Sequence, residues 1–159
     1  QNYNKILITL HRPLNVDNKN RLNSLLSLFN KLNLDTSFVV HPRTSKNLEK
    51  SKFNNIKFLS PMNFRKFINK LNNSDILISD SGGLQEEAVI FKKPLLIPMT
   101  TTTRNELLEK HNFLVSTDKE IKDKIFYFTK SNSNYEQFLK LNNNYYGKSE
   151  VIEKMKNYY

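Results

Sequence analysis

Six short apolar runs punctuate the chain, each followed by a longer polar or amphipathic stretch. The runs are ILITL (6–10), SFVV (37–40), IKFL (56–59), DILIS (75–79), PLLIP (94–98) and FLVS (113–116). Most are apolar throughout rather than at every second position. A strand of that kind is buried on both faces, which calls for a parallel sheet with helices packed against each side. The intervening stretches supply the helices. Residues 16–32 place Leu22, Leu25, Leu26, Phe29 and Leu32 at helical spacing, with Asp17 as the expected cap. A weak polar helix is expected from Ser45, and Phe64, Phe67, Ile68 and Leu71 form the stripe of the next. GLQEEAVIF (83–91) reads as the helix after the fourth strand. A helix from about Thr117 runs into IFYFTK, followed by YEQFLKL and the terminal SEVIEKMKNYY. This repetition specifies a doubly wound, Rossmann-like α/β domain. A length of 159 residues suits one such domain, 1–159, around a single core. No internal repeat or linker divides it, and the NNN of 142–144 marks a loop.

Charge and cysteine content bound the partners. The net charge of +10 admits a nucleic-acid surface or a site for a small anion. Lys and Asn are scattered along the whole chain with no aromatic-interleaved basic stripe, so solvated faces explain the charge better than a nucleic-acid partner. Without Cys there is no disulfide framework and no thiolate metal site, and a reducing cytoplasm is permitted. No run approaches the ~18 apolar residues of a membrane span, and no signal-peptide pattern opens the chain. Only QNYNK precedes the first strand, so the sequence is expected to begin at a domain boundary.

In doubly wound sheets ligands bind beyond the carboxyl ends of the strands. Three polar clusters fall there: His11 and Arg12 after the first strand, His41, Pro42 and Arg43 after the second, and DSGG (80–83) after the fourth. The chain has only three glycines, and Gly82 and Gly83 stand side by side at this one turn. Taken alone, the pair is equally a tight turn or a place where a ligand meets bare backbone. A helix starting near Gly83 points unpaired N–H groups at that spot, a combination that binds phosphate. Ser81 can cap that helix or donate its hydroxyl to the anion, and Glu86 and Glu87 sit in its first turn. The spacing is not that of the dinucleotide fingerprint. A single His at a strand end is ordinarily a cap or a packing residue, but His11 and His41 both fall at strand ends of one sheet, which favours function. His111 has no such argument. Arg12 and Arg43 are natural diphosphate partners in a shared crevice. No carboxylate or second His stands at ligand spacing, so no metal site is expected.

Together, ITLHRPLN, VVHPR, DSGGLQEEA, KKPLLIP, TTTTRNE and the late YYGKSEVIEKM resemble, in that order, the non-hydrolysing UDP-N-acetylglucosamine 2-epimerases. The resemblance covers nearly the whole chain and only the C-terminal half of that family's chain. It implies the nucleotide-binding domain of a glycosyltransferase-B arrangement of two Rossmann-like domains. Ser81, Gly82 and Gly83 would then hold the diphosphate, Glu87 the ribose hydroxyls, and Arg104 the nucleotide-sugar. His11 matches a catalytic group beside the departing diphosphate, supported by Arg12. The implied reaction inverts C2 of the sugar by eliminating UDP and adding it back, interconverting UDP-GlcNAc and UDP-ManNAc with no nicotinamide cofactor. Carboxylates of an N-terminal domain handle the C2 proton, so this domain alone is expected to be inactive. The implied setting is cell-envelope polysaccharide synthesis in the cytoplasm, and a homodimer is compatible with it. Leu14 stands where the family has Glu; Met99, Thr100 and Thr103 stand for Arg, Asp and Glu, and Asn105 for Pro. These departures bear on the sugar and on catalysis, and leave the UDP-binding core intact. The alternatives are the matching domain of another glycosyltransferase-B enzyme or a hydrolysing epimerase, and a non-catalytic nucleotide-sugar or nucleic-acid binding module.

Overall fold

The computed structural model describes residues 3–102 and 104–142. Thr103, the loop at 143–144 and the YYGKSEVIEKM stretch with its expected terminal helix lie outside the described residues. All six expected strands form, each within two residues of its expected bounds: β1 (Lys5–Thr9), β2 (Asp35–Val39), β3 (Ile56–Leu59), β4 (Ile76–Ser79), β5 (Leu95–Ile97) and β6 (Asn112–Leu114). They make one parallel sheet in the order β3-β2-β1-β4-β5-β6. The helices are α1 (Pro13–Val16), α2 (Lys19–Lys31), α3 (Pro42–Ser45), α4 (Phe64–Asn72), α5 (Leu84–Ile90), α6 (Asp118–Thr129) and α7 (Asn132–Leu141).

Continuous apolar strands feed two cores, one on each face of the sheet. Ile6, Ile8, Ile76 and Ile78 point into one face and are covered by Leu22, Leu25, Leu26 and Phe29 of α2 and by Ile121, Ile125 and Phe128 of α6. Leu7, Leu77 and Leu95 point into the other, under Ile68 and Leu71 of α4 and Ala88 of α5. This period-two division is what a sheet buried on both sides requires.

The chain runs outward from β1 to β2 and β3, then returns to lay β4 on the other side of β1. The pairing of β1 with β4 sets Ile8 against Ile78 and Thr9 against Ser79. The residues that follow, His11 and Arg12 on one side and Asp80 and Ser81 on the other, therefore leave the sheet side by side. This is the switch point where α/β sheets open a ligand crevice.

Two helix expectations are corrected. Asp17 does not cap α2. Pro13 nucleates the separate turn α1, leaving Asp17 helical at its end (φ −79°, ψ −29°), and the extended Asn18 takes the cap through bonds from the amides of Asn20 and Arg21. The polar helix expected from Ser45 does not form. Instead α3 ends at Ser45, and only a short 3₁₀ turn, Lys50–Lys52, follows. Pro42 at the first helical position and His41 as its cap draw the start upstream, and no apolar stripe extends the helix beyond. The helix expected near Thr117 starts with a full capping box between Thr117 and Glu120.

Candidate functional site

A cleft of about 330 Å³ opens at the carboxyl ends of β1, β2 and β4, lined by Thr9, His11, His41, Phe64, Phe67, Ser81, Gly83, Leu84 and Glu87. Five of the nine expected site residues, His11, His41, Ser81, Gly83 and Glu87, come together there. Arg12 lines an adjoining pocket of about 210 Å³ with Asp80, Gln85, Met99, Thr101 and Thr102. Gly82 lies at the Arg12 side of the same turn, since a Cβ on it would sit 3.9 Å from Arg12 Nη2.

The turn itself explains the glycines. Neither has a backbone conformation reserved for glycine, and Gly83 sits at φ −64°, ψ −40°. A Cβ on Gly83 would meet nothing within 4 Å. Tight-turn geometry and internal packing therefore give no reason for the pair. A side chain on Gly83 would occupy open space in front of the backbone, and one on Gly82 would approach the Arg12 guanidinium. Ser81 does not cap α5, whose cap position is Gly83 with no side-chain bond. Its amide instead receives support from the Ser79 hydroxyl at 3.1 Å.

Asp80 organises the two loops. It is buried, at 2% exposure, between β1 and β4. Its Oδ1 accepts the backbone N–H of His11, and Oδ2 accepts the N–H of Arg12 and the Asn15 side-chain amide, each at 3.0 Å. Its carbonyl oxygen accepts from Arg12 Nε at 3.2 Å. The His11 Nδ1 lies 3.2 Å from Asp80 Oδ1. The imidazole is thus held by one edge and turns the other to the cleft. His41 is fixed differently, its Nδ1 accepting the Arg43 N–H at 3.1 Å as the cap of α3. The two rings lie 5.4 Å apart.

Glu87 is the carboxylate that faces the cleft. Burial, with the nearby Glu86 charge adding a smaller push, holds its carboxyl above the usual glutamate range. Glu86 turns away and pairs with Arg104 at 2.7 Å.

Two expected anion ligands are placed elsewhere. The Arg43 guanidinium grips Asp17 with two bonds of 2.8 and 2.6 Å, so it braces α3 against the end of α1 instead of entering the crevice. Arg104 lines neither pocket and is held on α5 by Glu86. Both belong to short ion pairs on the surface, which a carboxylate of opposite charge within reach makes favourable.

Sequence reasoning placed Asp80 in the DSGG cluster without its bracing role, and missed Asn15 and the aromatic wall. Phe64 was read as part of a core stripe, yet it is 50% exposed at the mouth of the cleft while Ile68 and Leu71 take the buried positions. A signal existed, because Phe64 is the first residue of α4, where the buried stripe has not yet begun. Among the described residues no three His, Asp or Glu side chains gather as a metal would need. No helix among them is long and apolar enough to cross a membrane.

Comparison with known proteins places this geometry. A family model described as UDP-N-acetylglucosamine 2-epimerase matches residues 1–158. The UDP-N-acetylglucosamine 2-epimerase of Methanocaldococcus jannaschii is 38% identical over 126 residues, 72% of this chain and 34% of the relative. A UDP-N-acetylglucosamine 2-epimerase homolog of Methanococcus maripaludis is 37% identical over 123 residues, again 72% of this chain and 34% of the relative. The chain spans about a third of the length of these curated relatives. Among solved structures, the M. jannaschii UDP-GlcNAc 2-epimerase in complex with UDP-GlcNAc and UDP superposes with a TM-score of 0.70 at 27% identity, covering 86% of this chain and 44% of that one. The Neisseria meningitidis UDP-GlcNAc 2-epimerase bound to UDP-GlcNAc gives 0.72 at 30% identity, covering 84% and 38%. The fold is one Rossmann-like domain of the glycosyltransferase-B type.

Proposed function

Because this chain belongs to the UDP-N-acetylglucosamine 2-epimerase family, we propose that it is the UDP-binding domain of an enzyme that interconverts UDP-GlcNAc and UDP-ManNAc. The observation that carries the reading is the turn 81–83. Neither glycine has a backbone conformation reserved for glycine; Gly83 fronts a cleft that also holds two imidazoles and the Glu87 carboxylate, and Gly82 lies beside Arg12. An anion meeting bare backbone there explains all of these at once.

The parts divide the ligand between them. The Ser81 hydroxyl and the backbone at Gly82 and Gly83 take the diphosphate, with Arg12 beside them. Glu87, one turn along α5, accepts the ribose hydroxyls. Phe64 and Phe67 offer flat apolar surface for the uracil. His11 faces the bond between sugar and diphosphate. Elimination of UDP and its return to the opposite face also need a group that removes and replaces the C2 proton. In this reading a partner domain carrying carboxylates supplies that group and completes the site. The whole protein then works in the cytoplasm, in cell-envelope polysaccharide synthesis; the absence of Cys suits that compartment.

The reading is tested by thermal shift. UDP at 100 times its dissociation constant stabilises a binding domain by about 2.7 kcal/mol, and uridine should give much less. Equal shifts from UDP and uridine would remove the diphosphate site. The isolated chain should show no epimerisation, and solvent deuterium appearing at C2 in its presence would contradict the division of labour.

A further inference from the structure

We infer that Asp80 and the backbone of Arg43 fix opposite tautomers in the two cleft imidazoles, so that His11 is the ring able to exchange a proton with the ligand while His41 is a fixed donor. The assignment comes from the polar atom that stands against each Nδ1, a hydrogen-bonded amide at His41 and a carboxylate oxygen 3.2 Å away at His11. An amide N–H can only donate, so the His41 Nδ1 that accepts from Arg43 N at 3.1 Å carries no proton. The hydrogen of neutral His41 is therefore on Nε2. At His11 the partner has the opposite character. Asp80 accepts at both oxygens, from the His11 and Arg12 amides and from Asn15, so it faces His11 Nδ1 at 3.2 Å as an acceptor. The hydrogen of neutral His11 is on Nδ1, and Nε2 is left bare.

The two rings consequently differ in what they can do. His11 can gain and release a proton at Nε2 without giving up its contact with Asp80. His41 can gain one only at Nδ1, which would break the cap of α3. Side by side, 5.4 Å apart, they offer one acceptor and one donor. A nucleotide-sugar offers phosphate oxygens that accept from His41 Nε2–H; His11, once it has gained a proton at Nε2, can pass it to the leaving diphosphate oxygen as the C1–O bond breaks and take it back when UDP returns. Asp80 acts through His11 and is a positioning residue, with Asn15 holding the carboxylate in place. The other ionisable groups around His11 are His41 and Glu87 in the same cleft and Arg12 on its own loop. The roles given to the ligand rest on the UDP-sugar reading; the tautomers do not.

Long-range ¹H–¹⁵N spectra of the ¹⁵N-labelled chain test this at a pH above 8, with His11→Gln and His41→Gln used for assignment. The wild-type chain without ligand should show His11 protonated at Nδ1 and His41 at Nε2. In Asp80→Ala the carboxylate acceptor beside Nδ1 is gone, so His11 should shift to the Nε2–H form while His41 stays as it was. Wild-type His11 in the Nε2–H form, or an unchanged His11 in Asp80→Ala, overturns the inference. If Asp80→Ala does not fold, the wild-type pattern alone decides. UDP added to the wild-type sample should then move both rings. Correct tautomers with no response to UDP would leave this inference standing and sink the nucleotide reading instead.

Discussion

Acid should first weaken this fold through a single buried histidine. His111 is fully buried, with its ring edge-on to Phe138 at 5.8 Å. Burial first, and the charge of Lys110 second, lower its pKa from 6.5 to about 4. In the unfolded chain His111 titrates at its ordinary value, so between pH 6.5 and 4 the unfolded state binds the proton that the native state refuses. Stability is therefore complete above about 6.5 and declines as the pH falls through this window. Each pH unit inside it costs about 1.4 kcal/mol, so roughly 2.5 kcal/mol should be gone by pH 4.5. The ion-paired carboxylates of Glu49 and Asp35, whose pKa values are lowered, begin to give up their contribution as the pH falls through their ordinary values of 4.5 and 3.8, at the lower end of this window and beyond it. Urea denaturation at half-unit steps from pH 7.5 to 4.5 measures the slope. His111→Gln should flatten it even where the variant is less stable overall. A wild-type chain of constant stability across that range, or an equal slope in His111→Gln, would refute the buried neutral imidazole.

Further expectations concern the site and its frame. Gly83→Ala should leave the denaturation midpoint within about 1 kcal/mol of wild type, because its backbone is already helical and the new methyl has room, yet UDP affinity should fall clearly in a titration. Thr117→Ala removes half of a capping box and should cost about 1 kcal/mol in chemical denaturation, without changing UDP binding. UDP affinity should weaken on acidification at a higher pH than an ordinary glutamate's ~4.3 would give. The pKa of the Glu87 carboxyl is raised by burial and the group accepts from the ribose more strongly when ionised, so Glu87→Gln should abolish that part of the pH dependence.

The sheet was legible because unbroken apolar runs allow no alternative to burial on both faces, and β3 fell on its predicted residues. The region 41–55 was not, because its polar residues carry no periodicity and its course is set by Pro42 and the His41 cap. Local sequence sufficed to group Ser81, Gly83 and Glu87 in one cleft, since they lie within seven residues on one turn and helix. It could not supply Asp80's role, since its partner His11 is 69 residues away and meets it only after β4 pairs with β1. The pairing of Arg43 with Asp17 was hidden for the same reason. The position of Arg43 after β2 was right, but Asp17, 26 residues back, was the nearer charge.

The division of the cleft into a ribose end and a diphosphate end is tested most directly by calorimetric titration of wild type and Glu87→Ala with UDP and with inorganic pyrophosphate. A carboxylate accepting hydroxyl hydrogen bonds contributes on the order of 1.5–3 kcal/mol, so Glu87→Ala should weaken UDP about tenfold or more. Pyrophosphate has no ribose, and its affinity should stay nearly unchanged. Equal weakening of both ligands would mean that Glu87 supports the turn rather than the ribose, and would contradict the proposed orientation of UDP in the cleft.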